Sequence, residues 1–410
     1  MILINSQFLK MLRNEVQEKT KKKINVFNTI NPEAKLLRLD SGDVSLPLTP
    51  SVITALQTSV SEMGDGKTFH GRGPIQGYPF LIDSIIKNDF KSRKIKITAD
   101  EVFINEGTKE NVSSIGDILC GDNRVGIIDP VFQTFTYSNV ISNRAGELSP
   151  EKKWDNIIYI EGDKSNNFIP ELPSVRPDVI YLSYPNDPTG SVMSRSDLEK
   201  WVRYALRNDT LILFDATYEA FITEADVPHS IYEIKGARRV AIEFRSFSKS
   251  GGFTGLHCGY MVIPKDIIGY SFSAEQSVSL NALWHRRQTI KNNAPAYIIQ
   301  RAAQALYTTQ GRVEVQQNID YYMKNAEILR TALSRKKLRF WGGVNAPFIW
   351  VESPYGSSWE LFDKLLHECN IISAPGDRFG ACGEGYVRLS AFANQSEIMM
   401  AASRIADTSF

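Results

Sequence analysis

A lysine in a Ser- and Gly-rich turn directly after a buried strand can be held at a sheet edge, desolvated and low in pKa, which makes it both a nucleophile and a base. Lys249 stands in such a turn, SFSKSGGFTGLHCGY at 246–260. Most lysines are solvated surface charges, and only its company lifts this one out of that class. Asp215 closes the apolar run TLILF and Tyr218 follows, so a carboxylate and a phenol stand at the carboxyl end of a central strand. Open α/β sheets bind ligands at such ends. Another strand runs into YPNDPTG (184–190) and a third into NEGTKE (105–110), where Gly107 and Thr108 open a helix whose free N–H groups can receive a phosphate. A lysine for a Schiff base, a carboxylate for a protonated pyridine nitrogen, a phenol and a helix end for a phosphate fit one cofactor, pyridoxal 5′-phosphate.

These groups meet only if a parallel sheet gathers them. From about residue 100 short β-branched runs alternate with longer amphipathic stretches, the pattern of strands joined by helical crossovers. The expected strands are 101–105, 124–129, 178–184, 210–215, 239–244 and 258–263. After residue 300 the pattern becomes one long helix over 300–336, with Val313, Ile319, Tyr322, Ile328 and Leu329 as its apolar stripe. Beyond it, short strands in RFWGGVNAPFIWVES, NIISAPG and YVRLSAF surround the helix SSWELFDKLLHE, a smaller α+β arrangement.

In this order the chain resembles fold-type I aminotransferases of classes I and II, and among them the LL-diaminopimelate aminotransferases. The resemblance runs through LDSGDVSLPL (39–48), HGRGPIQGY (70–78), NEGTKE, DPVF (129–132), PNDPTG, DATYEAFIT (215–223), PHSIYEIKGA (228–237), SFSKSGGFTG (246–255), RRQTIKNN (286–293), NAPFIWV (345–351) and GEGYVRLSAF (383–392). It implies a mostly parallel seven-stranded sheet in a large α/β domain over 56–300, a C-terminal small domain over 301–410, and an N-terminal arm over 1–55 that joins the small domain. It also implies roles. Lys249 would form the Schiff base and shuttle the proton, Asp215 would hold the pyridine nitrogen, and Tyr218 would bond the cofactor's phenolate oxygen. Phe132 would stack on the ring, while Gly107, Thr108, Lys109, Ser246 and Ser248 would hold the phosphate. Arg388 would grip the substrate α-carboxylate with help from the Gly42 amide, and Asn293 would reach in from the second subunit of a homodimer.

Three cofactor contacts depart from the family's pattern. Asp187 stands where a second asparagine is usual, and a carboxylate beside a phenolate is repulsive, so it must be protonated, turned away or used to tune the Schiff base. His257 replaces a phosphate-clamping arginine, and Arg72 replaces a tyrosine that reaches the phosphate from the neighbouring subunit. The last two changes compensate each other if the cation lost at 257 returns across the interface at 72. Asp377 and Arg378, in SAPGDRFG, replace small residues; they either read the far end of the substrate or form plain loop surface.

Composition narrows the rest. Forty-seven Lys plus Arg against 46 Asp plus Glu give a net charge of +1 over 410 residues, so no global field favours nucleic acid or an anionic membrane. The basic run KTKKK (19–23) reads as a solvated helix face. Four scattered cysteines suggest neither a zinc knuckle nor a disulfide framework, the five histidines carry no metal-binding spacing, and Cys258 reads as a small core residue. A reducing cytoplasm fits, and no run of about 18 apolar residues marks a membrane span. The expected activity is amino transfer between an L-α-amino acid with a long polar, diaminopimelate-like side chain and a 2-oxo acid. The alternatives are a pyridoxal-phosphate lyase, cyclase or oxidase on the same frame, and a cofactor-binding module without activity.

Overall fold

The computed structural model describes residues 2–11, 15–150 and 153–410. Strand β1 (Leu37–Arg38) comes first. Seven strands then build the main sheet: β2 (Val102–Asn105), β3 (Val125–Asp129), β4 (Ile157–Glu161), β5 (Val179–Ser183), β6 (Leu211–Asp215), β7 (Ala241–Ser246) and β8 (Gly259–Val262). A hairpin of β9 (Ile268–Ser271) and β10 (Gln276–Ser279) follows. Five short strands complete the set: β11 (Phe340–Gly342), β12 (Phe348–Glu352), β13 (Ile371–Ile372), β14 (Ala374–Pro375) and β15 (Tyr386–Ser390).

The main sheet has the order β2-β8-β7-β6-β5-β3-β4. Only β8 is antiparallel to its neighbours β2 and β7, so every other strand runs one way. Helices cover both faces of such a sheet, which is why β2, β3, β5 and β8 are buried along their whole length and read as continuous apolar runs. All six strands expected from the sequence form. The seventh, β4, lies at the sheet edge, and its half-exposed pattern explains why no strong apolar run marked it.

The long helix expected over 300–336 is two helices, Tyr297–Ala305 and Thr309–Arg335. The Thr308 hydroxyl accepts the Gly311 N–H at 3.0 Å and so caps a new helix start. In the second helix Ile319, Tyr322 and Leu329 are buried and Ile328 packs against the core, but Val313 is 48% exposed and lies outside the stripe. No described helix is long and apolar enough to cross a membrane.

The C-terminal sheet, β11-β12-β15-β14, packs against this second helix and the helices Ser358–Cys369 and Gln395–Asp407. The N-terminal segment returns here: β1 pairs in parallel with β13, Leu37 and Leu39 join the core of Leu329, Leu365 and Val387, and Phe27 of helix Glu15–Ile30 packs on Phe362 and Leu366. These contacts bring the segment 15–48 to the mouth of the main sheet.

Candidate active site

Strands β2, β3, β5, β6 and β7 end on one edge of the sheet, and a cleft of about 800 Å³ opens there, closed by β15 and the helix Glu15–Ile30. Six Lys and Arg side chains against four Asp and Glu line it, so within a nearly neutral chain this cleft selects anions.

Lys249 follows the end of β7, and its Nζ donates to the Gly42 carbonyl at 2.5 Å. Burial pushes its pKa below the ordinary lysine value, although Asp187 and Asp43 oppose that shift. Asp215, at the end of β6, accepts from the Thr217 N–H at 3.0 Å, the Thr217 hydroxyl at 2.6 Å, the Ser183 hydroxyl at 3.1 Å and the Thr108 hydroxyl at 3.3 Å. Burial nevertheless raises its pKa, because no described lysine, arginine or histidine pairs with it. Tyr218 is 6% exposed, and burial together with the Asp187 carboxylate pushes its hydroxyl well above the ordinary tyrosine value. It is therefore a permanent hydrogen-bond donor.

The phosphate end differs in one detail from expectation. Gly107 adopts φ +108, and a Cβ there would lie 2.9 Å from the Ser246 hydroxyl, so only glycine fits. Its N–H, however, donates to the Asn105 side chain at 2.8 Å and is not a free anion donor. The amides of Thr108 and Lys109, in the first turn of helix Thr108–Ile115, have no such partner among the described residues. Lys109, Ser246, Ser248 and His257 line the same part of the cleft, and His257 holds a left-handed φ of 55°. Phe132 lines the cleft and is 43% exposed.

Arg388, from β15, sits between the rings of Phe348 and Phe379 at 4.6 and 5.0 Å. Its Nη2 donates to the Asp40 carbonyl at 2.7 Å and its Nη1 to the Asp187 carboxylate at 2.6 Å. The sequence offered no counter-ion for Asp187, and the structure supplies one: the side chains of Arg388 and Asp187 are 5% and 10% exposed, a buried ion pair. A Cβ built on Gly42 would lie 3.9 Å from Lys249 Nζ and 4.0 Å from Arg388 Nη2, so this glycine stands between the two side-chain ends.

Two expected residues are absent from this cleft. Arg72 is exposed and donates to the Asn293 side chain at 3.3 Å, so the pair stands together outside it. The basic run is more than a solvated face: Lys21 lines the cleft, Lys19 lies 3.8 Å from the Trp359 ring centre, and Lys23 pairs with Asp363 at 2.7 Å. Arg38, Asp40, Ser183 and Thr217 also line the cleft and went unremarked in the sequence. Only Thr217 had a local signal, standing two residues after Asp215, where a hydroxyl and amide can close a turn on the carboxylate.

A buried carboxylate without a cation suits a protonated ring nitrogen, a desolvated lysine suits a Schiff base, and open helix amides beside two serines suit a phosphate. The residues present fit pyridoxal 5′-phosphate, and the fold and cleft define a fold-type I enzyme of that cofactor. The chain belongs to the aminotransferase class I and II family, which matches residues 34–405. It is 50% identical over 406 residues, 99% of both chains, to the LL-diaminopimelate aminotransferase of Parabacteroides distasonis. To the enzyme of that name from Bacteroides fragilis it is 49% identical over 407 residues, again 99% of each. The solved L,L-diaminopimelate aminotransferase of Chlamydomonas reinhardtii superposes with a TM-score of 0.91 at 31% identity, covering 99% of this chain and 98% of that one. The protein is a pyridoxal-phosphate-dependent aminotransferase, and these relatives do not favour the lyase, cyclase or oxidase reading.

Proposed function

We propose that the protein transfers the amino group between LL-diaminopimelate, or an amino acid of the same length and polarity, and a 2-oxo acid. The observation that carries this reading is the joining, in one cationic cleft, of a desolvated lysine with a buried arginine only one glycine away. The relatives' substrate supplies the rest of the argument.

Arg388 binds the α-carboxylate through its planar guanidinium and so aims the α-carbon at Lys249. Lys249 Nζ, whose pKa burial lowers, would take the proton from that carbon and pass it to C4′ of the bound cofactor. The bound cofactor supplies the electron sink for the charge that develops there. Asp215 keeps the ring nitrogen protonated, Tyr218 donates a hydrogen bond to the cofactor's oxygen, and the amides of Thr108 and Lys109 with Ser246, Ser248 and His257 hold the phosphate. A second copy of the chain completes the site by presenting Arg72 and Asn293, which lie side by side on an exposed surface.

The test is holoenzyme with LL-diaminopimelate and 2-oxoglutarate, followed by glutamate formation, with Lys249→Ala expected to lose at least about 1,000-fold in kcat. Release of ammonia that needs no oxo acid would overturn the reading.

A further inference from the structure

The turn Gly376–Phe379 leads from β14 toward β15 and carries Arg378 into the cleft. Its backbone is clamped on both sides. The Phe379 carbonyl accepts the Val131 N–H at 2.9 Å, and the Asp377 carboxylate accepts the Trp359 indole N–H at 2.8 Å. Gly380 follows at φ +130, where a Cβ would lie 2.0 Å from the Asp129 carboxylate, so the turn can close only on glycine. Arg378 is thus held in place by groups other than its own side chain.

The guanidinium itself has no hydrogen-bond or ion-pair partner among the described residues. The two nearby acids are engaged elsewhere: Asp187 with Arg388 at 2.6 Å, and Asp40 with Arg38 at 2.8 Å. Burial first, and then the like charge of Arg388, lower the pKa of Arg378, against the weaker pull of Asp40 and Asp187. A half-buried, unpaired cation on a clamped turn beside a second cation costs free energy unless an anion is bound between or beside them. The phosphate donors lie on other elements, around Thr108, Ser246 and His257 at the ends of the main sheet, whereas Arg388 is on β15 and Arg378 on the turn after β14.

We propose that Arg378 is a specificity-determining residue that receives a carboxylate at the far end of the amino-acid side chain, so that the enzyme takes aminodicarboxylates stretched between two guanidiniums. This rests on the reading of Arg388 as the α-carboxylate receptor in an aminotransferase. Neither residue alone selects a dicarboxylate; the two cations lining one cleft do so together.

The experiment compares wild-type holoenzyme with Arg378→Ala and Arg378→Gln, using LL-diaminopimelate and L-2-aminoadipate against L-norleucine, a donor of similar length without the distal acid. The ratio of kcat/KM for the dicarboxylates to that for norleucine is expected to fall at least about 30-fold in both variants, mainly through KM. Calorimetric binding of adipate and hexanoate, which have no amino group to transfer, gives a second readout. Wild type is expected to prefer adipate, and the variants to lose the preference. An unchanged donor ratio, or an equal loss for all donors, overturns the proposal, the second case making Arg378 an accessory to the α-carboxylate. If no donor is transaminated by wild type, the aminotransferase reading fails, while the adipate preference and its dependence on Arg378 still decide this inference.

Discussion

Asp187→Asn changes one oxygen and removes one charge, and the structure sets two opposite consequences. In the wild type the Asp187 carboxylate already occupies Arg388 Nη1 at 2.6 Å in a nearly dry site. A substrate carboxylate on the same guanidinium lies about 5 Å from Asp187, and two unit charges at that distance repel by about 3 kcal/mol at an effective dielectric of about 20. Removing the anion therefore tightens binding of a carboxylate by up to about 100-fold. Stability moves the other way. Asparagine keeps a neutral hydrogen bond to Arg388 but leaves its charge buried without a counter-ion, and breaking buried pairs costs about 3–5 kcal/mol. The retained hydrogen bond returns about 1 kcal/mol of that, so a loss of about 2–4 kcal/mol is expected. The assays are urea unfolding of the variant and calorimetric titration of both holoenzymes with succinate, a carboxylate that carries no amino group. A variant that is less stable but binds succinate at least tenfold more tightly supports the reasoning. Succinate affinity within twofold of wild type would refute it, since Asp187 would then not compete for Arg388.

Arg72→Ala is expected to weaken cofactor affinity by about 10- to 100-fold, the worth of one charge-assisted bond to phosphate, as read by titrating apoenzyme with pyridoxal 5′-phosphate. Unchanged affinity would end the idea that a second copy's arginine compensates for His257. Away from the cleft, Glu219 pairs with the buried Arg245 at 2.7 Å and with His229 at 2.8 Å. Against the cost of burial, Arg245 and His229 hold its carboxyl at about 2, below the usual 4.5. The ionised form is favoured by folding, so its stabilisation is present above pH 4.5 and is lost as pH falls toward 2. Glu219→Gln should cost about 3 kcal/mol near pH 7, and the gap to wild type should narrow steadily below pH 4.5 in urea titrations; a gap independent of pH would contradict this.

The strand runs and the strand-end groups were legible because both are local. A parallel strand covered on two faces must be apolar throughout, and Asp215, Tyr218 and Lys249 follow such strands directly. The edge strand Ile157–Glu161 escaped because one side faces solvent, and the break at Thr308 escaped because a threonine cap inside an amphipathic run leaves the period intact. The amide of Gly107 was assigned to the phosphate on position alone, whereas a neighbouring side chain, Asn105, takes it.

The amino-acid sequence by itself determined the chemistry available: a lysine, an acid, a phenol and a phosphate-ready helix in an order that belongs to one enzyme family. The tertiary structure decided what those groups do to one another. Asp187 and Arg388 stand 201 positions apart, and only the closing of the C-terminal sheet over the main sheet makes them a pair. The same closure leaves Arg378 without one. The reason is physical: a charge acts over a few ångströms of space, and spacing along a chain does not fix distances between segments that meet only when the core packs.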